Sequence, residues 1–200
     1  MGQPIIRPAC LADLPGVYRM CFTEGFPGED RDDGRNPDLL GHVYAGPYVV
    51  ADPDLCAVVV DVEGVAGYVL GTPDAVAFAE WQEHAWWPPL REQYPLGACA
   101  HPADAEVVAL LHAPEVVPPG VYAGHPAQLH IDLLERIRGT GLGRVLIAGL
   151  LGRLHARGVP GVHLPVAPDN THAIGFYRHL GFVDALAQPD TLWMTRSTTP

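Results

Sequence analysis

Six residues, Arg138-Gly139-Thr140-Gly141-Leu142-Gly143, separate an alternating run from a long stretch striped at helical spacing. Glycines let backbone N–H groups approach an anion closely, and the N-terminus of a helix adds partial positive charge. Such a turn can therefore hold a phosphate group. It also reads as a tight strand-to-helix connection. Two rival phosphate motifs fit poorly. A Walker loop needs a lysine followed by Ser or Thr, which is missing here. A dinucleotide fingerprint needs G-x-G-x-x-G near the first strand, whereas this chain has G-x-G-x-G far downstream.

Other residue types narrow the chemistry. Asp132 and His130 share one side of the run before the turn, and a carboxylate among apolar strand residues is costly unless it is paired. Asp132 reads either as a general base or as a satisfied structural carboxylate. His130, with an ordinary pKa of about 6.5, suits a base equally well. Cys10, Cys21, Cys56 and Cys99 are scattered, with no C-x-x-C pair, and read as free thiols. The ten histidines lack the spacing of zinc chemistry, so no metal site is expected. A formal net charge of −11 argues against nucleic acid, because phosphate neutralisation needs clustered Lys and Arg. With 48% apolar and 18% charged residues over 200 positions, the composition is that of one globular domain over 1–200. No secretory signal and no long apolar run is legible, so a cytoplasmic protein without membrane contact is expected. No motif speaks to oligomeric state.

The elements that must position these residues follow from periodicity. Ile5 to Pro8 reads as a strand, and Leu14, Val17, Tyr18 and Cys21 as a helix. Glu24 to Asp38 holds six acids and should be a solvated loop. A short helix is expected from Pro37 to Tyr44. Leu55–Val62 and Val65–Thr72 flank Glu63-Gly64 as a hairpin. Residues 74–126 read as a long insertion with one or two helices, since a structureless loop of that length is improbable. A strand over 128–134, a helix over 142–156, a strand over 162–166, a helix capped by Asp169 or Asn170 and running to His179-Leu180, and a final strand pair complete an α/β chain.

At this point two motifs become specific. Arg138 to Gly143 resembles the R/Q-x-x-G-x-G/A loop of the GNAT acyltransferases. Asn170-Thr171-His172-Ala173-Ile174-Gly175-Phe176-Tyr177, with Leu180-Gly181-Phe182, resembles that family's N-x-x-A-x-x-F-Y-x-x-x-G-F segment. Across roughly residues 5–196, including Ile6-Arg7-Pro8, Gly67-Tyr68-Val69-Leu70-Gly71-Thr72 and Trp87-Pro88-Pro89-Leu90, the chain is similar to the acetyltransferase-like C-terminal domain of animal O-GlcNAcase. That animal domain lacks the glycine-rich loop; this chain has it.

The resemblance implies a GNAT fold: a central, mixed but mostly antiparallel, twisted sheet flanked by helices. It implies acetyl-CoA as cosubstrate. The pantetheine would lie along backbone of Asp132, Leu133 and Leu134, and the pyrophosphate would sit in Arg138, Gly139, Thr140, Gly141, Leu142 and Gly143, with Arg144 beside it. Asn170, Ala173 and Phe176 would border the pantetheine. Tyr177, a phenol with an ordinary pKa of about 10, would give a proton to the departing thiolate; the alternative is an aromatic helix face packed on the sheet. Asp132 would act on the amine. Tyr68, Trp81, Trp86 and Trp87 could wall the acceptor pocket, although core packing of an amphipathic helix is the favoured reading for the tryptophans. The implied activity is N-acetyl transfer to a small-molecule or peptide amine by direct attack in a ternary complex. The rival reading is an acetyl-CoA-binding module without transferase activity, favoured if the 74–126 insertion seals the acceptor cleft.

Overall fold

A computed structural model of the chain describes residues 3–25 and 33–199. Seven strands form one sheet in the order β1-β2-β3-β4-β5-β7-β6. They are β1 (Ile5–Pro8), β2 (Ala57–Asp61), β3 (Gly64–Thr72), β4 (Ala127–Leu133), β5 (Gly161–Val166), β6 (Val183–Ala187) and β7 (Leu192–Ser197). Every neighbouring pair is antiparallel except β4 with β5. The expected hairpin forms at β2–β3: Gly64 takes φ +111°, and the Asp61 carboxylate accepts from Glu63 N–H at 2.8 Å.

Helices cover both faces. On one side α8 (Leu142–Ala156) packs Leu146, Ile147, Leu150 and Leu154 against Val59, Val69 and Leu129, joined by Ile174 of α9 (Thr171–His179). On the other, α1 (Leu14–Gly25), α2 (Leu39–Tyr44) and α3 (Gly46–Ala51) bury Val17, Met20, Leu39 and Val49 against Val58, Tyr68 and Leu70. Strand alternation sends successive β3 side chains to opposite cores, which is why one sheet supports both.

The insertion is more helical than expected. It holds α4 (Ala75–Trp81), a π turn (Gln82–Trp86), α5 (Trp87–Gln93), α6 (Pro102–His112) and α7 (Pro119–Tyr122). Asp74 caps α4 by accepting from Val76 and Ala77 N–H, both at 3.0 Å. Pro88 and Pro89 start α5, where their missing N–H groups cost nothing. Arg91 ties α5 to α6 through the Leu111 carbonyl at 2.7 Å. These helices are too short to stand alone and depend on such ties and on packing.

The expectation of a solvated acidic loop is corrected in part. Residues 26–32 lie outside the described residues. Of the rest, Arg35 is 5% exposed, paired with Asp33 at 2.8 Å, and Asn36 N–H donates to Asp104 at 2.9 Å. A buried guanidinium requires a partner, and that pairing pins the segment's end. Among the described residues no helix is long and apolar enough to cross a membrane.

Candidate active site

The parallel contact of β4 with β5 consists of two rungs, Ala127↔Val162 and Gln128↔His163. Past them the strands splay. Pro165, which has no N–H to donate, stands in β5 just beyond the last shared rung. On its other side β4 stays zipped to β3, with Tyr68↔Asp132 and Gly67↔Leu133 in register. Leu134 lies one residue past β4, and its N–H donates to Ala66 O at 2.9 Å. Backbone groups alternate sides along a strand, so Asp132 also turns its N–H and C=O toward β3, whereas Leu133 and Ile131 turn theirs into the splay. Ile131 is thus an open backbone position that periodicity did not single out. Only the register, a property of β3 and β4 together, reveals it.

The glycine-rich loop follows a short 3-10 turn, Glu135–Ile137. Gly139 and Gly141 have φ +74° and +85°, and a Cβ at either would meet nothing within 4 Å. The cradle is open toward the N-terminus of α8, whose first turn carries no acid. Gly143 differs: a Cβ there would lie 3.1 Å from Leu133 Cδ1 and from Phe176 Cζ, so its smallness serves helix–sheet packing. Thr140 closes the loop by donating to Ile137 O at 2.6 Å. Arg138 donates to Leu133 O at 2.8 Å and forms an ion pair with Glu24 at the end of α1. Arg144 lies exposed beside His179, 3.3 Å away. A loop of free N–H groups beside two guanidiniums fits a pyrophosphate.

Along β4 the chemistry gathers on the α1–α2 side. His130 Nε2 is 3.1 Å from Asp132 Oδ2 and 3.0 Å from the Tyr68 hydroxyl, and that hydroxyl also donates to Asp132 Oδ2. The His130 ring lies near parallel to the rings of Tyr68 (centroids 5.5 Å apart) and Tyr44 (6.0 Å). Burial lowers the imidazole pKa, but the Asp132 carboxylate outweighs it and pushes His130 up to about 10. The ring is therefore an imidazolium at neutral pH. Tyr68 is fully buried and its phenol is raised, first by burial and then by the Asp132 charge. It supports the pair from beneath and does not wall a pocket.

Asn170 caps α9 by accepting from Ala173 N–H at 3.0 Å, which fixes where the helix begins. Gly181, at φ +83°, ends it. Ala173 and Phe176 pack at the edge of the α8 core. Tyr177 reaches the splay. Its hydroxyl has no hydrogen-bond partner among the described residues, and burial followed by the Asp132 charge raises its pKa.

A cavity of about 380 Å³ fills the space between β4, β5 and the insertion. Tyr177 and His130 line it, facing Tyr44, Tyr48, Phe78 and Trp87, with Glu115 at its rim. The insertion walls this cleft and leaves it hollow. Trp81 and Trp86 stack on each other, 6.1 Å apart, in the neighbouring core, and Trp86 donates to His42 O at 2.9 Å. Of the three tryptophans, only Trp87 reaches the cavity.

The chain as a whole has counterparts among known proteins. Residues 68–182 match the model of the Acetyltransferase (GNAT) family. Protein O-GlcNAcase of Rattus norvegicus is 30% identical over 179 residues, covering 88% of this chain and 20% of its own length. The chain thus spans about a fifth of the curated relatives it matches first. Among solved structures, SsHAT superposes with TM-score 0.89 at 37% identity, each chain covered in full. A phosphinothricin acetyltransferase from Sinorhizobium meliloti, solved in complex with AcCoA, shares the fold with TM-score 0.57 at 17% identity, covering 97% of this chain and 88% of its own.

Proposed function

The chain belongs to the acetyltransferase (GNAT) family, and we propose that it is itself an acetyl-CoA-dependent N-acetyltransferase acting on a primary amine. The observation that carries this reading is the shared cavity. Tyr177 and His130 line one hollow that adjoins the open backbone edge of β4, so donor and acceptor would meet in one place. An insertion that sealed the cleft would have favoured a binding module; this one walls it.

Bound acetyl-CoA would supply a thioester carbonyl as the electrophile. The loop Arg138–Gly143 would hold its pyrophosphate through backbone N–H groups, and Ile131 and Leu133 would hold its pantetheine at the splay. Recognition through main chain tolerates variation in side chains. Asp132 would orient the acceptor ammonium. The ammonium first gives one proton to solvent; as the neutral amine then bonds to the carbonyl carbon, a second proton becomes acidic, and the carboxylate accepts it. The carbon–sulfur bond breaks, and Tyr177 donates its phenolic proton to the thiolate. Burial keeps the phenol protonated at neutral pH, so a proton is at hand where the thiolate departs. His130, held as an imidazolium, is a positioning group for Asp132 rather than the base.

The test is incubation with acetyl-CoA and a panel of amines (amino sugars, polyamines, lysine peptides), following free thiol. Release above the no-acceptor background supports transfer. Saturable acetyl-CoA binding with no turnover on any amine would replace this reading with the binding module.

A further inference from the structure

The cavity contains two polar side chains that the fold itself leaves unpaired. Gln82 is only 9% exposed and lines the cavity. Its carboxamide makes no hydrogen bond to any described residue. Gln128 lines the same cavity, two residues from His130 on the same face of β4, and its carboxamide is likewise unpaired among the described residues. Buried amides are ordinarily satisfied, because leaving one without partners sacrifices its hydration. Gln82, nine-tenths buried, and Gln128, half-buried, instead keep their carboxamides accessible from one hollow walled in part by aromatic rings, which points to a ligand.

The backbone at Gln82 supports this. Residues 75–93 run as helix, yet pass through a π turn at Gln82–Trp86. Such turns forgo regular i→i+4 bonding and recur where a helix presents a residue to a site. Trp86, at the end of the turn, is fastened to His42 O, which fixes the turn against α2.

We propose that Gln82 and Gln128 read the acceptor, and that the acceptor is a primary amine bearing an uncharged amide on an apolar chain. This rests on the transferase reading above. A carboxamide offers a donor and an acceptor together, and an amide on the ligand is its complement in both. A carboxylate would satisfy only the donors and would meet Glu115 at the rim. A second ammonium would satisfy only the carbonyl oxygens. The walls, Tyr44, Tyr48, Phe78 and Trp87, suit the intervening apolar chain, while the amine is directed to the Tyr177–His130 end.

The experiment compares a homologous series of ω-amino amides with the matched alkylamines and ω-amino acids, using wild-type protein and acetyl-CoA. For the best chain length, kcat/KM should favour the amide over both analogues by roughly tenfold or more. Gln82→Met, which keeps the volume without hydrogen bonds, should bring the amide-to-alkylamine ratio close to one; Gln128→Met gives a second, independent variant. Equal rates for amide and alkylamine in the wild type, or an unchanged ratio in both variants, would overturn the inference while leaving transfer intact. If no amine releases thiol, transfer itself fails. Calorimetric binding of the same compounds to the CoA-saturated protein then decides: amide-selective binding lost in Gln82→Met supports the assignment, and equal binding refutes it.

Discussion

His130 Nε2 lies 3.1 Å from Asp132 Oδ2, two residues along one face of β4, with Tyr68 beneath the pair. The imidazole pKa is raised to about 10 in the folded chain against about 6.5 unfolded. A raised folded pKa contributes stability that is fully present below the unfolded value and lost as pH climbs through the folded one. The difference in Tm between wild type and His130→Gln should therefore be largest near pH 6.5 and shrink toward pH 10. Thermal scans across that window check it, and a difference independent of pH would show that the pair is not charged.

Tyr177 gives a complementary case, in which a single atom matters. Its hydroxyl has no partner among the described residues to lose, so Tyr177→Phe should leave the unfolding free energy within about 0.5 kcal/mol of wild type. Losing a positioned proton donor should lower kcat by about a hundredfold or more. Steady-state rates at saturating acetyl-CoA test this; an unchanged kcat would remove Tyr177 from the chemistry.

At the loop, Gly141→Glu should abolish the thermal stabilisation conferred by acetyl-CoA, because a carboxylate would stand where the pyrophosphate is held. Since Gly141 has φ +85°, any side chain there is strained. Gly141→Ala separates the two effects. It should cost roughly 1–2 kcal/mol of stability yet keep the ligand-induced shift. Stabilisation that survives in the glutamate variant would mean that the pyrophosphate lies elsewhere.

Glu24 competes for Arg138, which would otherwise be free to meet the pyrophosphate. Because the pair is partly exposed it is weak, and Glu24→Gln should tighten acetyl-CoA binding by only about two- to fivefold. Calorimetric titration at low and high salt checks this, and the gain should diminish as salt screens the competing charge.

His163 titrates in the opposite direction from His130. It is fully buried on β5, its Nδ1–H donates to His125 O at 2.7 Å, and its Nε2 has no partner among the described residues. Burial lowers its pKa. A depressed folded pKa means that the unfolded chain binds the proton first, so stability falls as pH drops below about 6.5. His163→Leu should flatten the acid side of the Tm–pH curve, whatever its effect near neutrality.

Much of this protein is written locally. The positive-φ glycines at 64, 139, 141 and 181, the Asn170 cap and the Leu142–Ala156 stripe each depend on neighbours within a turn or two. A linear reading therefore recovers the hairpin, the open loop and helices α8 and α9 at nearly their observed bounds. Such signals decay over a few residues. Tyr68 meets Asp132 across 64 positions, because strand register and not spacing puts them opposite each other. Alternation placed His130 with Asp132 on one face, but only their 3.1 Å approach in the folded chain, against the opposing effect of burial, makes His130 a cation. Likewise, the composition of residues 74–126 gave helices without saying where they would fold back. The tertiary structure stands them over the β4–β5 splay and turns Gln82 into a cavity wall. The glycine-rich loop was thus determined by backbone freedom that the sequence states outright. The acceptor cavity exists only because segments with no local claim on one another are packed around two strands that part.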